Sequence, residues 1–418
     1  MLERIKNLLH MNSRPPEEVG AGELRTVRVG AGEDEGDQDT GIFQIIMEDK
    51  ITRNMVILLF ALLVVLFFGI WIYGRVNLHT EIEITRSVGE TDIAGTHYAM
   101  LDNHVIKYST DGLFVTDTSG KTGWSIAYGI QTPIAACRGS RMALAEQLGK
   151  QIIVLNKSGV IGQFQTDLKI RRIALAENGV TGAVLEDGEI TRIKLYDTQG
   201  QELVEIKTTM DMTGYPVDIA LSKDAKRMMV SYLGEQNGQL VSRIVFYDFS
   251  SAQDADGDHI TAEYSYSREV FPRVFYTDDG VPAAVGDDCI LVFSKGRKPE
   301  EAVRVDEDRE IVSVFYDDES IGMIFHSEST EARYEMEVYN YKGKKMMQTS
   351  FAFEYTGVCL ENGEIVLYDE RDLYIYRTSG KQKFSYQYDK PVRFFTRLSG
   401  AGKYLVITDD SLDTIKLR

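Results

Sequence analysis

The chain has 418 residues, 46 of them basic and 64 acidic, for a formal charge of −18. Residues 1–54 carry −4 of this and the remainder −14, which excludes nucleic-acid binding through general electrostatics because phosphates would repel so acidic a surface. Three cysteines, Cys137, Cys289 and Cys359, are too few and odd in number to frame a disulfide scaffold.

Residues 1–54 read as a polar, mostly disordered tail. Leu2, Ile5, Leu8 and Leu9 share one helical face, and Arg14-Pro15-Pro16 ends that pattern. From Glu17 to Thr40, glycine and charge leave too little apolar area to offset chain entropy.

Residues 55–73, MVILLFALLVVLFFGIWIY, contain no charge over nineteen positions. As a helix they would reach about 28 Å, close to the hydrocarbon thickness of a bilayer. Lys50 and Arg53 precede the run, Arg75 follows it, and Trp71 and Tyr73 stand where an interfacial belt would. A single transmembrane helix over 55–74 is therefore expected. The run exceeds the apolar core of a cleaved signal peptide and lacks a small-residue cleavage site, so an uncleaved anchor is expected. Two basic residues within twenty positions on each side (Lys50 and Arg53, Arg75 and Arg86) make the positive-inside count a tie. The commoner single-span arrangement keeps a short tail inside. The expectation is a cell-membrane protein with a cytoplasmic N-terminus and residues 75–418 extracytoplasmic.

Residues 75–418 are built from repeats. A short strand ending in a glycine turn recurs as Phe114-Val-Thr-Asp-Thr-Ser-Gly120, Ile153-Val-Leu-Asn-Lys-Ser-Gly159 and Lys194-Leu-Tyr-Asp-Thr-Gln-Gly200. It returns as Leu291-Val-Phe-Ser-Lys-Gly296, Val338-Tyr-Asn-Tyr-Lys-Gly343 and Tyr374-Ile-Tyr-Arg-Thr-Ser-Gly380. Ile244-Val-Phe-Tyr-Asp248 keeps the strand and loses the glycine. Each unit carries an upstream strand pair bounded by Asp-Gly, Asn-Gly or Ser-Gly turns, the grammar of β-hairpins. Units begin near Thr96, Pro133, Ile170, Val217, Val270, Ile311, Tyr355 and Val392, a period at which a four-stranded blade is the repeat. The fold class is all-β, an eight-bladed β-propeller, with seven blades the alternative.

The eighth unit ends at Ile415-Lys-Leu417 without a fourth strand. Glu81-Ile-Glu-Ile-Thr85 alternates polar and apolar residues, with Ile82 and Ile84 on one face. A closing strand near 80–88 is expected to complete the last blade and cover an edge that would otherwise invite aggregation.

This layout of polar tail, one span and propeller, with its Val-Tyr-Asp-x-x-Gly blades, resembles a group of bacterial single-pass membrane proteins. They are known from Firmicutes such as the clostridia, and their C-terminal domain has no known function. The resemblance implies the fold and an envelope location, and no catalytic motif comes with it.

Asp117-Thr-Ser-Gly-Lys-Thr-Gly-Trp124 is similar to the docking repeat of quinoprotein propellers. Trp124 is the only tryptophan after the apolar run, so the match reads as turn grammar and no cofactor is expected. Asp254-Ala-Asp-Gly-Asp258 places carboxylates at alternate positions, but an EF-hand would need glycine at His259 and glutamate at Ser265. An acidic hairpin loop is expected there, with Asp254, Asp256 and Asp258 the candidates for a weak surface calcium site. The six histidines include no pair at zinc spacing, although His97 and His104 flank one hairpin and could meet across it. Asp278-Asp279, Asp287-Asp288, Asp317-Asp318 and Asp409-Asp410 fall in expected turns, which favour aspartate.

Two functions follow. One is a membrane-tethered binding or scaffold module for an envelope protein or polysaccharide, not an enzyme, with no catalytic residues. The other is a propeller hydrolase or oxidoreductase with carboxylates at the central channel. Scarce histidines and the absence of a recurring catalytic signature favour the first.

Overall fold

The computed structural model describes residues 50–76, 78–89, 95–211, 213–250, 259–400 and 402–418. The tail up to residue 49 and the candidate calcium residues Asp254, Asp256 and Asp258 lie outside the described residues.

Lys50–Val76 form one helix, α1, of 27 residues. It begins five residues before the expected span and ends two after it. Hydropathy marks what is buried in an apolar phase, whereas the helical ladder continues through any residue able to donate i→i−4 bonds. Ten apolar side chains between Met55 and Phe67 are 53–70 % exposed. Among the described residues no helix is long and apolar enough to cross a membrane.

The rest of the described chain forms eight four-stranded antiparallel sheets. Numbered in chain order, blade 1 covers 97–127, blade 2 133–165, blade 3 169–209, blade 4 215–266, blade 5 273–306, blade 6 311–351 and blade 7 357–387. Blade 8 takes three strands from 392–417 and its outermost strand, Ile82–Gly89, from the other end of the chain. The structure is an eight-bladed β-propeller, as the repeat count predicts. The inner strands begin at His97, Pro133, Lys169, Tyr215, Arg273, Ile311, Gly357 and Val392, within three residues of the starts read from the repeats.

The recurring Asp/Asn-x-x-Gly segment is the turn between third and fourth strands. Asp117 Oδ1 accepts from the amides of Ser119 and Lys121 at 2.8 and 2.9 Å, Asp197 Oδ1 from Gln199 and Gln201 at 2.9 and 2.8 Å, and Asn340 Oδ1 from Lys342 and Lys344, both at 3.0 Å. The carboxylate or amide replaces the ladder partners the turning chain has lost. A register shift accompanies the turn in blades 1–7, a bulge that turns the outer strand away. Gly120 shows why glycine follows: its φ is +74°, and a Cβ there would lie 2.6 Å from Val88 of the closing strand.

The core is eight separate slabs, one between each pair of neighbouring blades. Strand periodicity builds them. In the second strand of blade 2, Met142 and Leu144 enter the slab shared with blade 1, and Ala143 and Ala145 the slab shared with blade 3. Both faces are buried, so these strands are continuously apolar rather than alternating.

Ile82–Gly89 pairs with Ser411–Leu417, Ile82 opposite Leu417 and Ile84 opposite Ile415. Ile82 packs into the slab between blades 7 and 8, but Ile84 is 51 % exposed, against the shared face expected for the two. The outermost strand lies where radiating blades diverge, and the bulge between Ile84 and Arg86 re-aims the strand. Asp413, buried in the last strand, accepts from Ser87 Oγ at 2.5 Å, Tyr388 Oη at 2.5 Å and Ser411 Oγ at 2.9 Å.

Ile415→Ala, at a fully buried position beside this pairing, will lower unfolding free energy by about 2–5 kcal/mol in denaturant titrations. Ile84→Ala will change it by no more than about 0.5 kcal/mol. Deleting residues 80–88 will expose the edge of the last strand and give aggregation in light scattering.

Candidate functional site

The inner strands of blades 2–5, with Tyr316 of blade 6, enclose a cavity of about 180 Å³ on the ring axis. Its polar lining is Cys137, Arg138, Asp218, Arg273 and the tyrosines. Asp218 stands in the otherwise apolar strand Tyr215–Leu221, where a register shift after Pro216 aims it. It is buried and accepts from the Val274 amide at 3.0 Å. Burial pushes its carboxyl above the usual range, opposed by the positive charge of Arg273. Burial alone would lower Arg273, but attraction to Tyr316 and Asp218 outweighs it and holds the guanidinium above its ordinary value. Tyr316 is fixed by stacking on Phe275, centroids 3.7 Å apart at 8°.

Arg138 closes one end of this space. From blade 2 it reaches past blades 3 and 4 to blade 5, donating to the carbonyls of Tyr276 at 2.5 Å and Thr277 at 2.9 Å, and pairing with Asp278 at 3.1 Å. Cys137 can be touched from the bore yet is hemmed in by the surrounding strands, and desolvation pushes its thiol up to about 11. Such a thiol is a poor nucleophile near neutrality.

The family model for DUF5711, a family of unknown function, matches residues 75–417. The chain belongs to DUF5711. No curated protein is significantly similar to it in sequence. In structure it is similar to BamB from Moraxella catarrhalis at 11 % identity and a TM-score of 0.52, over 80 % of this chain and 100 % of the other. The Pan2 WD40 domain of Neurospora crassa is similar at 10 % identity and a TM-score of 0.42, over 68 % and 88 % of the two chains. At such identities the first likeness is one of fold.

In this DUF5711 propeller none of the paired aspartates lines the axial cavity. Asp278 and Asp318 meet where the Asp278 amide donates to Asp318 Oδ1 at 2.6 Å, tying blade 5 to blade 6. Asp409 and Asp410, at the opposite end of the ring from those turns, pair with Arg393 and Lys390. Among the residues lining the axial cavity Asp218 is the one carboxylate, so the two-carboxylate arrangement of a glycosidase is not assembled there. His97 and His104 do not meet: His97 stacks on Tyr108 at 5.3 Å, and His104 lies opposite Leu101. Trp124 donates to the Lys157 carbonyl at 3.0 Å, tying blade 1 to blade 2. Among the described residues no group of three His, Cys, Asp or Glu side chains is placed to hold a metal ion. Sequence reading passed over Arg138, Asp218 and Arg273. A charge inside the apolar strand Pro-Val-Asp-Ile-Ala-Leu was the available signal for Asp218; a strand-end arginine carries none.

Asp218→Ala strands the Val274 amide and removes the countercharge of Arg273. Because Arg273 reaches the open bore, the loss will be about 1–3 kcal/mol in denaturant titrations rather than that of a fully buried pair. Asp218→Asn, which retains an acceptor for Val274, will lose less.

Proposed function

We propose that the chain is a membrane-anchored binding module of the cell envelope. In this reading α1 crosses the membrane, the preceding tail is cytoplasmic, and the propeller stands outside, presenting loops to an envelope protein or polysaccharide. The observation that carries it is α1 itself. A charge-free run over residues 55–73 coincides with a helix in which ten large apolar side chains are exposed, and each large apolar group kept out of water is worth about 1.5–3 kcal/mol. A bilayer supplies those surroundings while the helix satisfies its own backbone.

Binding rather than catalysis is supported by the small axial cavity with its single carboxylate and arginine plug. It is also supported by the junction of blades 3 and 4 at the end of the ring that carries the turns between second and third strands. There Ile190, Met210 and Tyr215, all exposed, line a cleft of about 620 Å³ with Glu186, Glu189 and Asp211. The adjoining hairpin of blade 4 extends to an exposed Leu240. An apolar patch edged by acids on a rigid ring suits a partner's surface.

Protease added to intact cells, or to protoplasts where a wall shields the surface, will digest residues 75–418 and spare residues 1–54, read by immunoblot for each end. A protected propeller with a digested tail would reverse the orientation and remove the envelope function.

A further inference from the structure

The end of the ring that carries the turns between first and second strands opens, at the junction of blades 7 and 8, into a cleft of about 590 Å³. That size lies within the range of small-molecule sites. Asn362-Gly363 forms one wall, a two-residue turn with φ of 51° and 71° of the kind an Asn-Gly pair makes. Arg377, Lys381 and Arg397 supply the charged lining, and Glu364 lies at the base.

Glu364 is already committed. Lys383 donates to one of its oxygens and to the Tyr404 hydroxyl at 2.7 Å, and that hydroxyl donates to the other Glu364 oxygen at 2.6 Å. Arg397 donates to the Asn362 carbonyl at 3.3 Å and stands 3.5 Å from the same carboxylate. Three cations, Arg377, Lys381 and Arg397, thus line the cleft against the one carboxylate of Glu364, and Glu361 lies close enough to Arg397 to feel its charge. The surrounding propeller is strongly acidic. The Lys381 ammonium has no hydrogen bond or ion pair among the described residues. Burial draws Lys383 below the usual lysine range even though Glu364 opposes it, and Arg377 and Arg397 add to the fall by like-charge repulsion. The cations of the cleft outnumber the carboxylates beside them.

We infer that the cleft between blades 7 and 8 binds a phosphoryl group, either as free phosphate or carried on a small organic molecule. A dianion complements a lining of three cations and one carboxylate, and guanidinium forks meet pairs of phosphoryl oxygens in bidentate fashion. The cleft leaves room beside the anion for the molecule that carries it. This inference rests on the ring alone and stands whether or not α1 crosses a membrane.

Full-length protein in detergent micelles, titrated calorimetrically with inorganic phosphate and separately with glycerol 3-phosphate, tests it. At least one probe will bind below roughly 10 mM, and Arg377→Gln/Lys381→Gln will weaken that binding about tenfold or more. Arg393→Gln, which removes a like charge at the opposite end of blade 8, will leave it unchanged. Inorganic phosphate binding as tightly as or more tightly than glycerol 3-phosphate assigns the free anion; tighter glycerol 3-phosphate assigns a phosphorylated organic ligand. Thermal melts establish that the double variant is folded, and should it not be, Lys381→Gln alone, at an exposed position, must weaken binding about threefold or more. Binding of neither probe, undiminished binding in the folded double variant or in Lys381→Gln, or equal weakening by Arg393→Gln would overturn the site.

Discussion

The pairing of Ile82–Gly89 with Ser411–Leu417 is the constraint on which the rest of the ring depends. A blade has no stability of its own, since both faces of its middle strands are apolar and each slab needs two blades to enclose it. The ring is complete only when blade 8 is, and its outermost strand comes from the opposite chain end. The slab between blades 8 and 1 has five fully buried core residues, Val105, Leu398, Leu405, Ile407 and Leu412, fewer than any other slab. Across that seam Thr414 Oγ1 also donates to the Thr118 carbonyl at 3.4 Å, and Val88 of the closing strand lies against Gly120. The same seam is tied at its rim, where Ser399 donates to Asn103.

Because side-chain alternation consigns apolar residues to the slabs, polar residues in each blade collect at the strand ends and along the bore. At the ends they join neighbouring blades. The Glu177 amide donates to the Lys223 carbonyl at 3.1 Å while Lys223 pairs with Glu177 at 2.9 Å, joining blade 3 to blade 4. Along the bore, Arg138 spans from blade 2 to blade 5, and Asp218 and Arg273 line the cavity between them. Where the polar groups of two blades do not balance, as between blades 7 and 8, a charged cleft remains. The chemistry of this propeller is thus concentrated at its ends and seams.

Much of the architecture was legible in the chain. Eight units were countable because every blade opens with an upstream strand pair; the glycine turn that follows recurs in fewer of them, since blade 4 loses the glycine and the last blade takes its fourth strand from the other chain end. The acidic pairs were legible as turn residues for the same local reason. Ile84 was misread because alternation reports which face a residue takes and not how wide the gap between blades is at that radius. His97 and His104 were read as possible neighbours because flanking one hairpin is a sequence property, whereas facing each other is set by register.

By itself the sequence determined whatever depends on near neighbours along the chain: strand periodicity, turn type, repeat count, a helix over the apolar run of residues 55–73 and the acidic charge. Only the tertiary structure decided what depends on which blades meet. Arg138 reaches a carbonyl 138 positions away, Asp218 accepts from an amide 56 positions on, and Glu364 meets Tyr404 across a blade junction. Such contacts follow from the curvature of a closed ring, which sums small angles over all eight blades. No local window of residues contains that sum.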